Sequence, residues 1–437
     1  MAFNIDKQTM EELNLTGKFR NGSVYALFNK VKTNGGERLL DQMFRHPLES
    51  AIAINERSSI FHFFEKEGYD FPFDAQQLTQ MREYADATGS GSALLVLGQT
   101  IVKKLLSALT RDERYRKSIQ GLQATIGVLQ KCHQFTDAMR PPAAYTARVD
   151  EIKNILADKR LQRLRETDIY QSLPLKTLAY YEHLLKIELQ REMATLLAFI
   201  DELDVYIAVS TVARQKGFHY AMAKTPDSNL LFAQDLRHPC LDKAVGNQLQ
   251  MDATRNVLFL TGANMAGKST LMKSIGIGLY LAHMGFPVAA TEMQFSVRQG
   301  LYSSINVSDN IGLGYSHFYA EVVRVKQAAE AAASGKRLLL MFDELFKGTN
   351  VKDAFDGTLA ITRSFADYTD CLFIVSTHII EVGEALRDRN NIQFRFMPTI
   401  MEGSVPRYTY TLKEGITEDR QGMMIIRNEG ILEMMDA

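Results

Sequence analysis

The chain has 437 residues, 46% of them hydrophobic and 23% charged, a balance that excludes wholesale disorder and a length that suits two to four domains. With 50 Lys and Arg against 51 Asp and Glu, the net charge is −1, so no global field draws the chain to nucleic acid and any such binding needs a local patch. Cys132, Cys240 and Cys371 are odd in number and far apart, which excludes a disulfide framework and a zinc cluster and fits a reducing cytoplasm.

The N-terminus, Met1 to Lys7, is polar and lacks the apolar core of a secretion signal. No apolar run approaches the ~18 residues of a membrane span, so a cytoplasmic protein with no membrane association is expected. From about Ile5 to Phe218 the apolar residues recur at three- and four-residue spacing, as in Leu185 to Arg214, and this half is expected to be all-α. Breaks are expected at Asn34-Gly35-Gly36, at Thr88 to Ser92 and at Arg140-Pro141-Pro142. Two basic clusters lie in this half, Lys103 and Lys104 with Arg111, Arg114, Arg116 and Lys117, and Lys153 with Lys159, Arg160, Arg163 and Arg165. Both are interspersed with acids, so each reads either as a solvated helix face or as a site for DNA phosphates.

After Phe218 short apolar runs alternate with helical segments, the mark of a mostly parallel sheet covered by helices. A boundary near residue 219 therefore divides a helical domain, 1–218, from an α/β domain, 219–437. The run Asn256 to Leu260 leads into Thr261-Gly262-Ala263-Asn264-Met265-Ala266-Gly267-Lys268-Ser269-Thr270, which reads as strand, phosphate-binding loop and helix start. Gly262 and Gly267 stand where a side chain would keep backbone N–H groups from turning toward a polyphosphate. Lys268 then reaches the β- and γ-phosphates, and Ser269 offers a hydroxyl to Mg²⁺.

Two further runs end in polar groups. Lys336 to Phe342 is followed by Asp343 and Glu344, the first suited to the shell of Mg²⁺ and the second to orienting or deprotonating an attacking water. Leu372 to Val375 leads to Ser376-Thr377-His378, where the imidazole either senses the γ-phosphate, holds the water or serves a structural role. Between the glycine loop and the first of these runs, Ser308 to Phe318 is a glycine-containing turn entering a helix from His317 to Ala333. Ser316 at that helix start is either a plain cap or an anion contact.

Taken together these motifs resemble the MutS family of DNA mismatch repair ATPases. The loop TGANMAGKST is similar to that family's TGPNMGGKST, with Ala263 and Ala266 replacing a proline and a glycine. Phe342 to Gly357 resembles its MDEIGRGTSTYDG, retaining Gly348, Thr349, Asp356 and Gly357, and Ser376 to His378 resembles its STH. Asp309 to Glu321 is similar to its DDLASGRSTFMVE, and Leu236-Arg237-His238-Pro239 looks like its GRHP. Upstream, Gly35 to Leu40 with His46-Pro47-Leu48 and Glu202 to Val205 resemble stretches of its core and lever domains.

The resemblance implies a helical core and lever domain followed by an ABC-type P-loop ATPase domain. It implies a homodimer in which Lys268, Ser269, Asp343, Glu344 and His378 of one protomer meet Ser316 of the other across ATP and Mg²⁺. Where the family stacks an aromatic on the base ahead of a conserved Asn, this chain has Ala244-Val245-Gly246-Asn247. Tyr410, aligned with a C-terminal histidine of the family, is then a candidate stacking ring or an ordinary strand tyrosine. Against the family pattern, a mismatch-reading domain and connector are expected to be missing, the clamp reduced or absent, and the dimer-tying helices beyond Gly422 to Ile426 lacking. Phe63-Phe64-Glu65 spells the reader's Phe-x-Glu but lies in a helical core segment, as a chance match.

The function expected is an ATP-dependent DNA-binding protein that hydrolyses ATP as a dimer to move helical arms. Double-stranded DNA, mismatched or branched, and repair partner proteins are the expected partners, in DNA repair or recombination. The alternative is an ATP-driven conformational scaffold that recruits proteins without gripping DNA. An ABC transporter subunit is disfavoured by the missing LSGGQ pattern.

Overall fold

A computed structural model describes residues 3–17, 22–86, 93–110, 113–168, 174–305, 317–402, 405–417 and 434. It is a mixture of helix and mostly parallel sheet, divided into two compact units. One comprises Met1–Phe28, Met43–Ser58 and Val212–Ala437, the other Asn29–Gln42 and Ser59–Thr211. The long helix Gln190–Lys216 is followed by the strand His219–Tyr220. Packing follows a different division, because the chain alternates between the units and residues 1–28 and 43–58 join the sheet-containing one.

In that unit a seven-stranded sheet runs in the order Asn4–Ile5, Gly300–Ser304, Leu338–Asp343, Leu372–Ser376, Val257–Gly262, Ile392–Met397, Lys413–Glu414. All neighbours are parallel except the last pair. Val257–Gly262 and Leu372–Ser376 are buried along their whole length, which is why they read as unbroken apolar runs rather than alternating ones. Packed on them are Val325, Ala328 and Ala332 of helix His317–Ala333 and Phe365 and Ala366 of helix Val351–Ala366. A second sheet has four strands, in the order Met222–Lys224, Glu292–Ser296, Leu231–Leu236, Asn247–Met251. Helix Lys268–His283 touches strands of both sheets and is buried at every residue from Ser274 onward, so beyond its first two turns it is nearly apolar all round instead of amphipathic.

The N-terminal segment completes this unit. Glu12 accepts from the Ile305 N–H at 3.0 Å and from the Ser303 hydroxyl, and Arg324 pairs with Asp6. Tyr280 donates to the Phe44 carbonyl, and the rings of Phe28 and Phe44 meet Phe286 edge-on at 5.4 and 5.6 Å.

The second unit is helical among its described residues, while the strand Asn4–Ile5 of the N-terminal half belongs to the sheet of the other unit. Phe61, Phe64 and Tyr145 surround Tyr206 at ring separations of 5.2, 5.6 and 5.6 Å. Phe64 of the Phe63-Phe64-Glu65 triplet is thus a core residue of helix Ala51–Glu67. Asn34-Gly35-Gly36, read as a break, instead begins helix Asn34–Arg45. Asp204 accepts from Lys32 N at 2.9 Å and from Thr33 N at 2.8 Å and Thr33 Oγ1 at 2.7 Å, and a Cβ on Gly36 would stand 2.5 Å from its Oδ2. The glycine serves close approach to a buried carboxylate, not termination. At Pro142 the expected break is present, between helices Arg114–Ala138 and Ala143–Leu156. Residues 87–92, the third expected break, lie outside the described residues.

Candidate active site

The carboxyl ends of three adjacent strands carry the residues singled out from sequence. Val257–Gly262 ends in the glycine loop, Leu338–Asp343 in the two carboxylates, and Leu372–Ser376 two residues before His378. Register makes them neighbours: Asp343 pairs with Ser376, and Ser376 with Leu260. Beyond the ladder, Glu344 N donates to Ser376 O at 2.8 Å and Thr377 N to Leu260 O at 3.1 Å. This is the edge at which parallel sheets bind ligands, because the following loops diverge there.

The loop turns on residues in the left-handed region, with φ of 142° at Gly262, 68° at Met265 and 104° at Gly267. Met265 is 80% exposed and Asn264 is also exposed, whereas Ala266 is buried and its N–H donates to Ala263 O at 3.2 Å. Gly267 caps helix Lys268–His283, so the orphan N–H groups of its first turn, from Lys268, Ser269 and Thr270, present a partial positive charge at the loop. Lys268 is buried, and its Nζ donates to Gly262 O at 2.8 Å and Ala263 O at 3.1 Å. Burial pulls its pKa down, while Asp343 and Glu344 oppose that shift.

Ser269 donates its hydroxyl to Asp343 Oδ2. The other carboxylate oxygen, Oδ1, is buried without a hydrogen-bond partner among the described residues, an unmet acceptor that a cation would satisfy. Glu344 follows with φ of 54°, a costly conformation for a residue bearing a Cβ and one that concentrates at functional sites. Its Oε1 lies 3.9 Å from Nδ1 of the 60%-exposed His378. A hydroxyl, two carboxylates, an ammonium and an imidazole therefore converge on one strand edge, the set needed to hold a cation and activate water beside a bound anion.

Next to the loop lies a cavity of about 270 Å³ lined by Asn247, Gly267, Thr270 and Tyr410, together with His238 and Met397. Tyr410 is drawn so close to the loop that a Cβ on Gly267 would stand 3.0 Å from its Cδ1. Asn247 is committed elsewhere: its Nδ2 donates to Tyr410 O at 3.0 Å and its Oδ1 accepts from Leu412 N at 2.6 Å. It acts on the backbone that carries Tyr410, itself at φ of 56°. His238 and Met397 were missed as lining residues. His238 stands in the Leu236 to Pro239 motif, a signal that could have found it, whereas Met397 reaches the loop only because Ile392–Met397 pairs with Val257–Gly262.

Ser316 lies outside the described residues, as does Arg111 of the first basic cluster. Several of the remaining basic side chains are held by acids of their own unit. Lys103 pairs with Glu182 at 3.1 Å, Arg160 with Asp158 and Glu188 at 2.7 and 2.8 Å, and Arg165 with Asp137 at 3.2 Å.

Two family models match the chain, MutS domain III over residues 8–210 and MutS domain V over residues 258–435. The chain belongs to the MutS family. The domain V match contains the glycine loop, Asp343, Glu344, His378 and Tyr410, whereas His238 and Asn247 precede it. Among similar MutS proteins, a DNA mismatch repair protein MutS of Pseudothermotoga lettingae is 27% identical over 64% of this chain and 33% of its own length. Those of Lawsonia intracellularis and a Geobacillus species are 35% identical over 41% of the chain and 27% over 52%, covering 20% and 26% of their own lengths. The matched part thus spans a third or less of these relatives. Among the described residues no helix is long and apolar enough to cross a membrane.

Proposed function

We propose that this MutS-family chain binds and hydrolyses ATP as a homodimer and couples that cycle to duplex DNA, mismatched or branched, in DNA repair. The observation that carries the reading is the Ser269 hydroxyl on Asp343 at the carboxyl edge of the sheet, with Glu344 and His378 alongside. Residues 219–437 would then supply the P-loop ATPase fold, with residues 1–218 as core and lever. Gly262 to Thr270 would wrap the phosphates, with Lys268 donating to the β- and γ-oxygens. Ser269 and Asp343 would hold Mg²⁺, which when bound neutralises charge on those oxygens. Among the described residues no group of three or more His, Cys, Asp or Glu side chains forms a metal site, and one carboxylate with a hydroxyl suits Mg²⁺, which keeps waters and phosphate oxygens as its other ligands. Glu344 orients and deprotonates the attacking water, and His378 donates toward the γ-phosphate. Tyr410 stacks on the base, with Asn247 fixing its backbone, and Ser316 of a second copy closes the site.

The second reading is a scaffold that recruits partner proteins without gripping DNA. It is favoured by the neutralisation of Arg160 and Arg165 within their own unit, since a paired cation has less to gain from a phosphate. ATP hydrolysis measured with and without homoduplex, mismatched and junction DNA separates the two. Turnover that changes on DNA, and falls away in Lys268→Ala, is expected from the first. Hydrolysis indifferent to every DNA would select the second, and no hydrolysis under any condition would refute both.

A further inference from the structure

The helical unit contains a cavity of about 720 Å³, within the size range of small-molecule sites and far above a packing defect. Tyr84, Lys103 and Lys186 line it, as do the exposed Arg114 and Lys117. Beside it one carboxylate serves two ammonium groups, since Glu182 Oε1 lies 3.1 Å from Lys103 Nζ and 3.2 Å from Lys186 Nζ. The Lys186 side chain is only 5% exposed. Two cations share one anion, which leaves the Lys186 ammonium only half matched in a place shielded from water, while Lys103 is 28% exposed and the exposed Glu83 also lines the cavity.

Two further observations point the same way. The Tyr84 hydroxyl is buried with no hydrogen-bond partner among the described residues, and its ring lies under Lys186 Nζ, 4.1 Å from the centroid. A buried donor without an acceptor is rare in a native protein and calls for a missing partner. Lys186 also belongs to a π-helical turn, Leu184–Glu188, marked by the Leu189 N–H bonding to Leu184 O at 2.8 Å. Such insertions weaken helix geometry and recur at functional sites.

We propose that this cavity binds a small phosphorylated molecule, whose phosphoryl oxygens accept from Lys103, Lys186 and Tyr84. A free small molecule suits the recess better than a DNA backbone, because a duplex is too wide to enter and cannot carry its phosphates to a side chain as buried as Lys186. The site shares no residue with the candidate active site and stands or falls apart from it.

Inorganic pyrophosphate is the probe, titrated calorimetrically into the full chain carrying Lys268→Ala so that the glycine loop does not compete. One equivalent is expected to bind. Adding Tyr84→Phe or Lys186→Gln is expected to weaken it at least about tenfold, as loss of a charge-assisted contact does. Lys103→Gln, at a less buried position, gives the same readout should Lys186→Gln fail to fold. No binding in the Lys268→Ala chain, or unchanged affinity in both Tyr84→Phe and Lys103→Gln, would overturn the proposal. So would binding of a short DNA duplex, but not pyrophosphate, in a manner sensitive to Lys103→Gln.

Discussion

At the scale of single residues, Glu344 is the side chain on which turnover is expected to depend. Gln keeps the size and one carbonyl acceptor but loses the negative charge that draws a proton from water, so Glu344→Gln should retain ATP and lower kcat by about 10²- to 10³-fold. Steady-state hydrolysis and a filter assay for retained nucleotide check both halves. His283 carries a second prediction. It is fully buried, its Nδ1–H donating to Leu48 O at 2.9 Å and its Nε2 accepting from Arg298 N at 3.2 Å. Burial, with a smaller contribution from Arg298, pushes its pKa down from 6.5 to about 4. Between those values the unfolded chain binds a proton that the folded chain refuses, so stability is fully present above pH 6.5 and falls as the pH drops toward 4. The loss is on the order of 3 kcal/mol. Urea melts from pH 7.5 to 4.5 should show this slope, and His283→Gln, which keeps a donor and an acceptor, should lack it.

Between elements, Asp204 joins the helix Gln190–Lys216 to the start of the helix Asn34–Arg45 through three donors of Lys32 and Thr33. Asp204→Ala would leave the two buried Thr33 donors unmatched, at a cost of about 2–4 kcal/mol. Chemical denaturation should find the midpoint lowered accordingly, whereas a surface aspartate such as Asp242, 87% exposed on its side chain, should move it little. The same contact shows why Gly35 and Gly36 were misread. Two adjacent glycines usually signal a loop, but here a carboxylate 168 positions along the chain occupies the space that a Cβ on Gly36 would need. Helix periodicity was reliable because it depends only on near neighbours, and the glycines were not because their reason is remote.

For the whole molecule, the alternation of the chain between two units means that no single cut releases either one. A fragment of residues 219–437 would lack Phe28 and Phe44, which cover Phe286, and Glu12, which holds Ser303 and Ile305. Expressed alone it should aggregate or melt without cooperativity, because apolar surface and buried donors that the N-terminal segments cover would face water. Near-ultraviolet circular dichroism and calorimetric melting of the fragment beside the full chain test this. A fragment as cooperative as the parent would show that the first 58 residues contribute little to that core.

What the sequence determined by itself is the chemistry packed into short stretches. Strand, glycine loop and Lys268-Ser269 are contiguous, as are strand and Asp343-Glu344, and in a parallel sheet contiguity alone brings a strand's polar sequel to the carboxyl edge. Only tertiary structure decided which distant groups meet. Asn247 and Tyr410, 163 positions apart, are joined through a backbone carbonyl rather than a ligand, and Tyr84, Lys103 and Lys186 share a cavity that no motif announces. Local periodicity and turn chemistry are written in neighbouring residues, whereas burial without a partner is a property of packing, and it exists only once the chain has closed on itself.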